Sequence, residues 1–378
     1  MESSMKRFVA ILFLFWAVWP TGASAQSGDV SRAQTSAAGP EDLDEANPFA
    51  KLVKKYPFRN SSLSFWQNMN LLGITSKGAE QTWNPTYSWL WRLQPRYYLN
   101  DKFFVRLKVD LEIEWTNSDE TTYYHEPLWG DIWLDAVSPK LYKDKLTGID
   151  VSPSFRFVLP ASKASQARSL YVGLSPGVGL HRSFKLPHKM AIDLSYAFMY
   201  QKNLNHYSTV QFDSPTISSC AGAFGGDCGM FLHSGARNPS HAFMNIFLVD
   251  WEITKKLRAS QMIALFNYLL YDTTPGTVEL AGGPTVTVGT DPAYDINMRA
   301  AIWWLTEVDY DVHRWVTLGL GLSTFNPQLT DDSHYRYPFF NRFTELMISA
   351  TFNLDQIVAS VDHRMRSRAF TSNVAPAQ

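Results

Sequence analysis

The chain is poor in cysteine, in long apolar runs and in any excess of charge. Its only cysteines are Cys220 and Cys228. That excludes a cysteine-dense disulfide scaffold and, with no further Cys or His at short spacing, a zinc site. Beyond the N-terminal leader no run approaches the ~18–20 apolar residues that a transmembrane helix needs. With a mean hydropathy of -0.19, a helical membrane protein is excluded. Lys and Arg number 34 against 35 Asp and Glu, so no basic footprint suggests a nucleic-acid partner. No Gly-rich phosphate loop, zinc motif or calcium loop occurs, and no cofactor or metal is implied.

Aromatic residues are abundant instead, with 13 Trp, 17 Tyr and 24 Phe. Rings of this kind favour membrane–water interfaces, where an apolar body meets a polar edge. Residues 1–25 read as a secretory signal peptide: Lys6 and Arg7, an apolar run from Val9 to Trp19, then Ala23-Ser24-Ala25 before the cleavage point. In the oxidising compartment this implies, Cys220 and Cys228 in their Gly-rich loop are expected to pair as a disulfide. Residues 26–60 form a polar tail. It includes a short amphipathic helix at 48–56, capped by Asn47, started by Pro48 and stopped by Pro57. This helix either packs on a periplasmic rim or docks a periplasmic partner through 47–56.

The run from Lys102 to Thr116 shows the architecture most clearly. Phe103, Val105, Leu107, Val109, Leu111, Ile113 and Trp115 share one face of an extended strand; Arg106, Lys108, Asp110, Glu112 and Glu114 lie on the other. A soluble strand is usually about five or six residues long. A longer one, apolar on one side and ionic on the other, is the pattern of a barrel strand crossing a bilayer. Similar runs at 63–74, 86–99, 102–116, 128–137, 149–159, 169–182, 190–201, 242–253, 258–271, 294–309, 315–325 and 342–354 make about twelve strands. Short and long connections alternate, with 138–148 a mid-length exception among the short ones. Short periplasmic turns and long outer loops are the rule in such barrels.

On these features residues 61–354 resemble a Gram-negative outer-membrane β-barrel. The expected fold is all-β, a transmembrane antiparallel up-and-down barrel with the short N-terminal helix on the periplasmic side. The resemblance implies export to the outer membrane, contact with outer-membrane lipid, and assembly by the barrel-assembly machinery. Leu346, Ile348, Ala350, Phe352 and Leu354 on the last strand resemble its C-terminal signal, although residues 355–378 continue beyond it as a tail.

Alternation places Arg92, Arg96, Arg106, Lys108, Asp110, Glu112, Asp131, Asp135, Arg156 and Arg299 in the lumen. Across the 100–101 turn, Arg92 is expected near Asp110 and Arg96 near Arg106. Lys108 lies beside Asp135 if Trp115 pairs with Leu128. These charges either line a pore or neutralise one another and fill a narrow barrel. Gly173, Ser175, Gly177 and Gly179 also face inward, leaving space for a passage or accommodating curvature.

No convincing catalytic constellation is found. His233 and Ser234 are adjacent and would point to opposite faces of a strand; His206 and Ser208 share a face but lack a third member. Asp332 and His334 have a protease-like spacing in an outer loop, while Asp309 and Asp311 fall near a periplasmic turn. The loop 202–241 could constrict the mouth or meet a partner. The reading is therefore a porin-like channel for small polar solutes. The alternatives are a non-conducting barrel that anchors an envelope complex and, third, a lipid hydrolase.

Overall fold

The computed structural model describes residues 57–71, 86–116, 125–208, 237–272, 276–279, 285–288, 298–329, 334–341 and 343–361. The expected signal peptide at 1–25, the helix expected at 48–56, and both cysteines lie outside them.

Twelve antiparallel strands form the wall: β1 (Ser62–Asn70), β2 (Tyr87–Gln94 continued by Arg96–Asn100), β3 (Phe103–Glu114), β4 (Pro127–Trp129 continued by Ile132–Val137), β5 (Asp150–Leu159), β6 (Leu170–Lys185), β7 (Ala191–Asn205), β8 (Pro239–Glu252), β9 (Leu257–Leu270), β10 (Met298–His313), β11 (Val316–Pro327) and β12 (Thr344–Asn353). Each pairs with its chain neighbours, and β1 pairs with β12 as well as β2, from Ser62 opposite Asn353 to Asn70 opposite Glu345. The sheet therefore closes and leaves no edge.

Two strands are broken for local reasons. Pro95 cannot donate to the ladder, so β2 pauses there while the Ser61 hydroxyl takes the Arg96 N–H at 2.9 Å. In β4 the break falls at Gly130, where a Cβ would stand 2.9 Å from that of Asp110.

One end carries the close links 101–102, 138–149, 186–190, 253–256 and 314–315. The Asn100 carboxamide accepts from the Lys102 N–H at 2.8 Å, and the Thr254 hydroxyl accepts from Lys256 and Leu257. We call this the turn end. The opposite, loop end carries α1 (Lys163–Ala167), capped by Ser162, and a ribbon of Gly276–Glu279 with Thr285–Val288.

Strand number and order match the sequence reading, while the boundaries move. β10 runs on to His313, so Asp309 and Asp311 stand in a strand rather than at a turn. Leu354, expected to end the last strand, and the first residues of the expected tail 355–378 form α2 (354–361). Its Asp355 accepts the Asn60 N–H at 2.8 Å, and burial raises the pKa of that carboxyl. A further difference is that residues near 339–341 fold back onto the outer wall. Thr324 donates to the Phe339 carbonyl at 3.1 Å, Asn341 donates to Asn326 at 2.9 Å, and Phe339 packs edge-on to Trp304.

Candidate functional site

The inner faces of β2 to β5 carry a ladder of charges. Arg92 grips Asp110 through two bonds, Nε–Oδ1 at 2.7 Å and Nη2–Oδ2 at 2.9 Å, and Lys108 Nζ reaches Oδ2 of the same carboxylate at 2.9 Å. One step towards the turn end, Asp135 is shared in the same way. Arg106 Nη2 meets its Oδ2 at 2.5 Å and Arg156 Nε its Oδ1 at 2.7 Å. Each aspartate thus holds two cations. The indole of Trp133 joins the two groups, with Lys108 Nζ 3.4 Å and the Arg156 guanidinium 3.8 Å from its ring centre. Arg106 and Lys108 are each only 2 % exposed. Isolated burial of such ions costs several kcal/mol apiece, and the shared carboxylates and the indole are what offset it.

The expected pairing of Arg92 with Asp110 and of Arg96 with Arg106 is present as direct register. Lys108 beside Asp135 is not. Ile113 rather than Trp115 meets the start of β4, opposite Pro127, and the break at Gly130 then sets Arg106 against Asp135 and Lys108 against Trp133. Arg96 lies below the ladder, 5.5 Å from the Phe104 ring. Glu112 and Glu114 continue the ladder towards the loop end, where Glu114 accepts from Thr116 at 2.7 Å.

Two predicted members stand elsewhere. Asp131 accepts from the Ser162 N–H and the Ser165 hydroxyl, pinning α1 at the loop end. Arg299 is on β10, opposite Tyr268, across the barrel from the ladder. The glycines of β6 do not all leave open space. A Cβ at Gly177 would meet Met199 at 2.9 Å and Ser154 at 3.0 Å, and one at Gly173 would meet Val158 at 3.0 Å.

On the opposite half the middle of the inner wall is apolar, with polar residues such as Arg299 and Glu307 towards its two ends. Met199, Met244, Ile246, Leu248, Met262, Ala264, Phe266, Trp303, Leu305, Phe325 and Met347 form one buried cluster on β7 to β12. Phe266 stacks on Tyr268 with an interplanar angle of 8° and meets Phe325 edge-on at 5.7 Å. A polar strut closes this half near the turn end: Ser349 donates to Glu307 across β11 at 2.9 Å. It passes over Gly319, where a Cβ would lie 2.2 Å from the Ser349 oxygen.

Sequence reasoning missed one constellation. On the inner face near the turn end, His181 Nδ1 lies 3.0 Å from Ser195 Oγ, and its Nε2 lies 3.7 Å from Asp193. The signal was available, since Asp193 and Ser195 sit two apart on one strand face. Around them β6 and β7 remain paired residue for residue, so their backbone N–H groups serve the ladder rather than an oxyanion. Of the earlier candidates, His206 is engaged by the Tyr171 hydroxyl at 2.6 Å, and Asp311 by Thr317 at 2.6 Å. His233, Ser234 and Asp332 lie outside the described residues. Among the described residues no three His, Cys, Asp or Glu side chains gather as metal ligands.

A closed antiparallel barrel with large apolar side chains exposed outside and an ionic ladder within has the architecture of the Gram-negative outer-membrane β-barrels. No family model and no curated protein matches the chain. Among solved structures, an outer membrane channel from Pseudomonas putida F1 is similar at 10 % identity and a TM-score of 0.44, covering 78 % of this chain and 96 % of that one. The KdgM porin with oligogalacturonate aligns at 10 % identity and 0.35, covering 77 % and 98 %, and the NanC porin at 9 % and 0.36, covering 78 % and 98 %. At TM-scores below 0.5 these likenesses assign no solute to this chain.

Proposed function

We propose that this protein resides in the outer membrane of a Gram-negative bacterium, turn end in the periplasm, and passes small polar solutes along the β2–β5 side of its lumen. The observation that carries the reading is the segregation of the inner wall. Filling a barrel needs only close-packed apolar side chains, and the middle of β7 to β12 is filled in that way. A ladder of buried ions on the opposite half is a costly filler and a good source of field along a hydrated path. Lys108 is packed beside Trp133 and Arg106 against Asp135, both buried, so they set that field without being the groups a solute touches.

Outside, Leu93, Leu134, Phe157, Leu194, Phe247, Leu318, Leu320 and Ile348 are exposed in a band, as a lipid-facing wall requires. The burial of the ladder is also the specific observation in favour of the second reading, a closed barrel acting as an anchor. Planar-bilayer recording separates them. The channel reading expects single-channel steps whose size changes in Arg92→Gln and Glu112→Gln; a silent bilayer with folded, inserted protein contradicts it.

A further inference from the structure

The turn end gathers cations. Four of its five links present an exposed cation: Lys102, then Lys143 and Lys145 in the longest, then Lys256 and Arg314; beside the fifth, Lys185 is exposed at the end of β6. Lys143 stands 3.9 Å from Asp150, just beyond its link. Acids within these links are Asp101 and Asp144 alone. Asp101 is held by Arg59 at 2.7 Å, and Asp144 accepts from the Thr147 N–H at 2.7 Å and from the Thr147 hydroxyl. Just inside the cations, Tyr97, Trp251 and Tyr310 stand exposed on the outer wall.

The link 138–149 extends this wall as a rigid tongue. Tyr142 and Lys143 pair with Val151 and Asp150. The tip closes through the Gly148 N–H on the Asp144 carbonyl at 2.8 Å, with Gly148 at a φ of +71° that favours glycine. The base is tied down by Ser138 on the Lys102 carbonyl and Ser152 on that of Pro139. Tyr142 is opposite Val151, on the parity of the outer wall, and Leu146 at the tip is 93 % exposed.

We propose that this collar binds the phosphate headgroups of anionic phospholipid in the periplasmic leaflet, the tongue lodging Tyr142 and Leu146 at the headgroup–acyl boundary. The inference rests on the membrane residence and orientation proposed above. Two features select lipid over a protein partner. The cations are spread around the whole rim, one link after another, which fits an annulus of lipid rather than a one-sided contact. Tyr142 also stands on the parity of the outward-facing band, and Leu146 is exposed at the tip beyond it. Lysines beside an anionic surface each contribute about 1 kcal/mol, and the collar supplies several.

The test uses the full chain in nanodiscs of phosphatidylcholine, with and without phosphatidylglycerol as the minor lipid. Spin-labelled lipids report the composition of the immobilised annulus. The expected result is phosphatidylglycerol enriched about five-fold over its bulk share, the factor that corresponds to one such lysine contact. The enrichment falls in a Lys143→Glu, Lys145→Glu, Lys256→Glu variant and in high salt. A second variant, Leu146→Ser, weakens it without altering charge. Insertion with an annulus of bulk composition, as a surface made for a protein would give, overturns the collar alone. Enrichment that survives charge reversal also overturns it. Failure to enter the pure phosphatidylcholine disc overturns the membrane reading and the collar with it.

Discussion

The two halves of the inner wall obey the same alternation and do opposite things with it. On β2 to β5 the ions share one face, with Leu90 and Phe104 among them, and the other face is apolar or aromatic. Across the middle of β7 to β12 both parities are largely apolar: Ile246 faces in and Phe247 out, Trp303 in and Trp304 out. The first half holds itself together with shared carboxylates, the second with close packing. The difference shows how one sheet can be both a rigid core and a polar surface. The apolar half anchors the barrel's shape, and the ionic half is held against it.

Substitutions that break each half by its own mechanism test this contrast. The largest effect is expected for Asp135→Ala, which leaves Arg106 and Arg156 facing each other in a buried wall. A loss of about 3–5 kcal/mol should appear as a lower urea midpoint for the folded, heat-modifiable gel band. Phe266→Ala removes a ring from the apolar cluster and should cost about 3 kcal/mol in the same assay, with solute passage unchanged. Gly319→Ala drives a methyl group into the Glu307–Ser349 strut; about 1–3 kcal/mol is expected, and Ser349→Ala in the same chain should recover part of it. The smallest effect concerns the tongue. The Asp144 pKa is lowered by hydrogen bonds from the Thr147 hydroxyl and N–H. A depressed carboxyl pKa stabilises the turn above its usual range and loses that contribution as pH falls through it. The protection of the 144–149 amides, taken relative to the intrinsic exchange rate at each pH, should therefore fall below about pH 4, and Thr147→Val should remove the dependence.

The same contrast explains what could be read from the sequence. The strands β2 to β5 were legible because polar and apolar residues alternate there, and pairing across the tight 100–102 link fixed Arg92 on Asp110. The partner of Asp135 was not, because the Gly130 break shifts the register of β4 and only tertiary contact with Asp110 reveals it. The inward apolar cluster was also hidden: where both faces are apolar, period two carries no sign of which residue faces in. Asp131 has the right parity for the lumen, yet it lies above the wall, where Ser162 and Ser165 claim it. The α2 helix (354–361) was missed because the alternation of Leu346, Ile348, Ala350, Phe352 and Leu354 reads as one continuous strand, which hides Asn353 at the N-cap position and Asp355 in the first turn.

In the channel proposed above, the ionic half borders a hydrated path while the apolar middle of the opposite half is dry. Single cysteines placed in a Cys220→Ser, Cys228→Ser background test it directly, using a membrane-impermeant, charged thiol reagent on the inserted protein. The account predicts that Glu112→Cys and Ser154→Cys react rapidly and that Met262→Cys and Ala264→Cys stay unlabelled. Silence at all four positions would contradict it by showing a lumen filled on both sides, and equal labelling of both halves would contradict it by erasing the division.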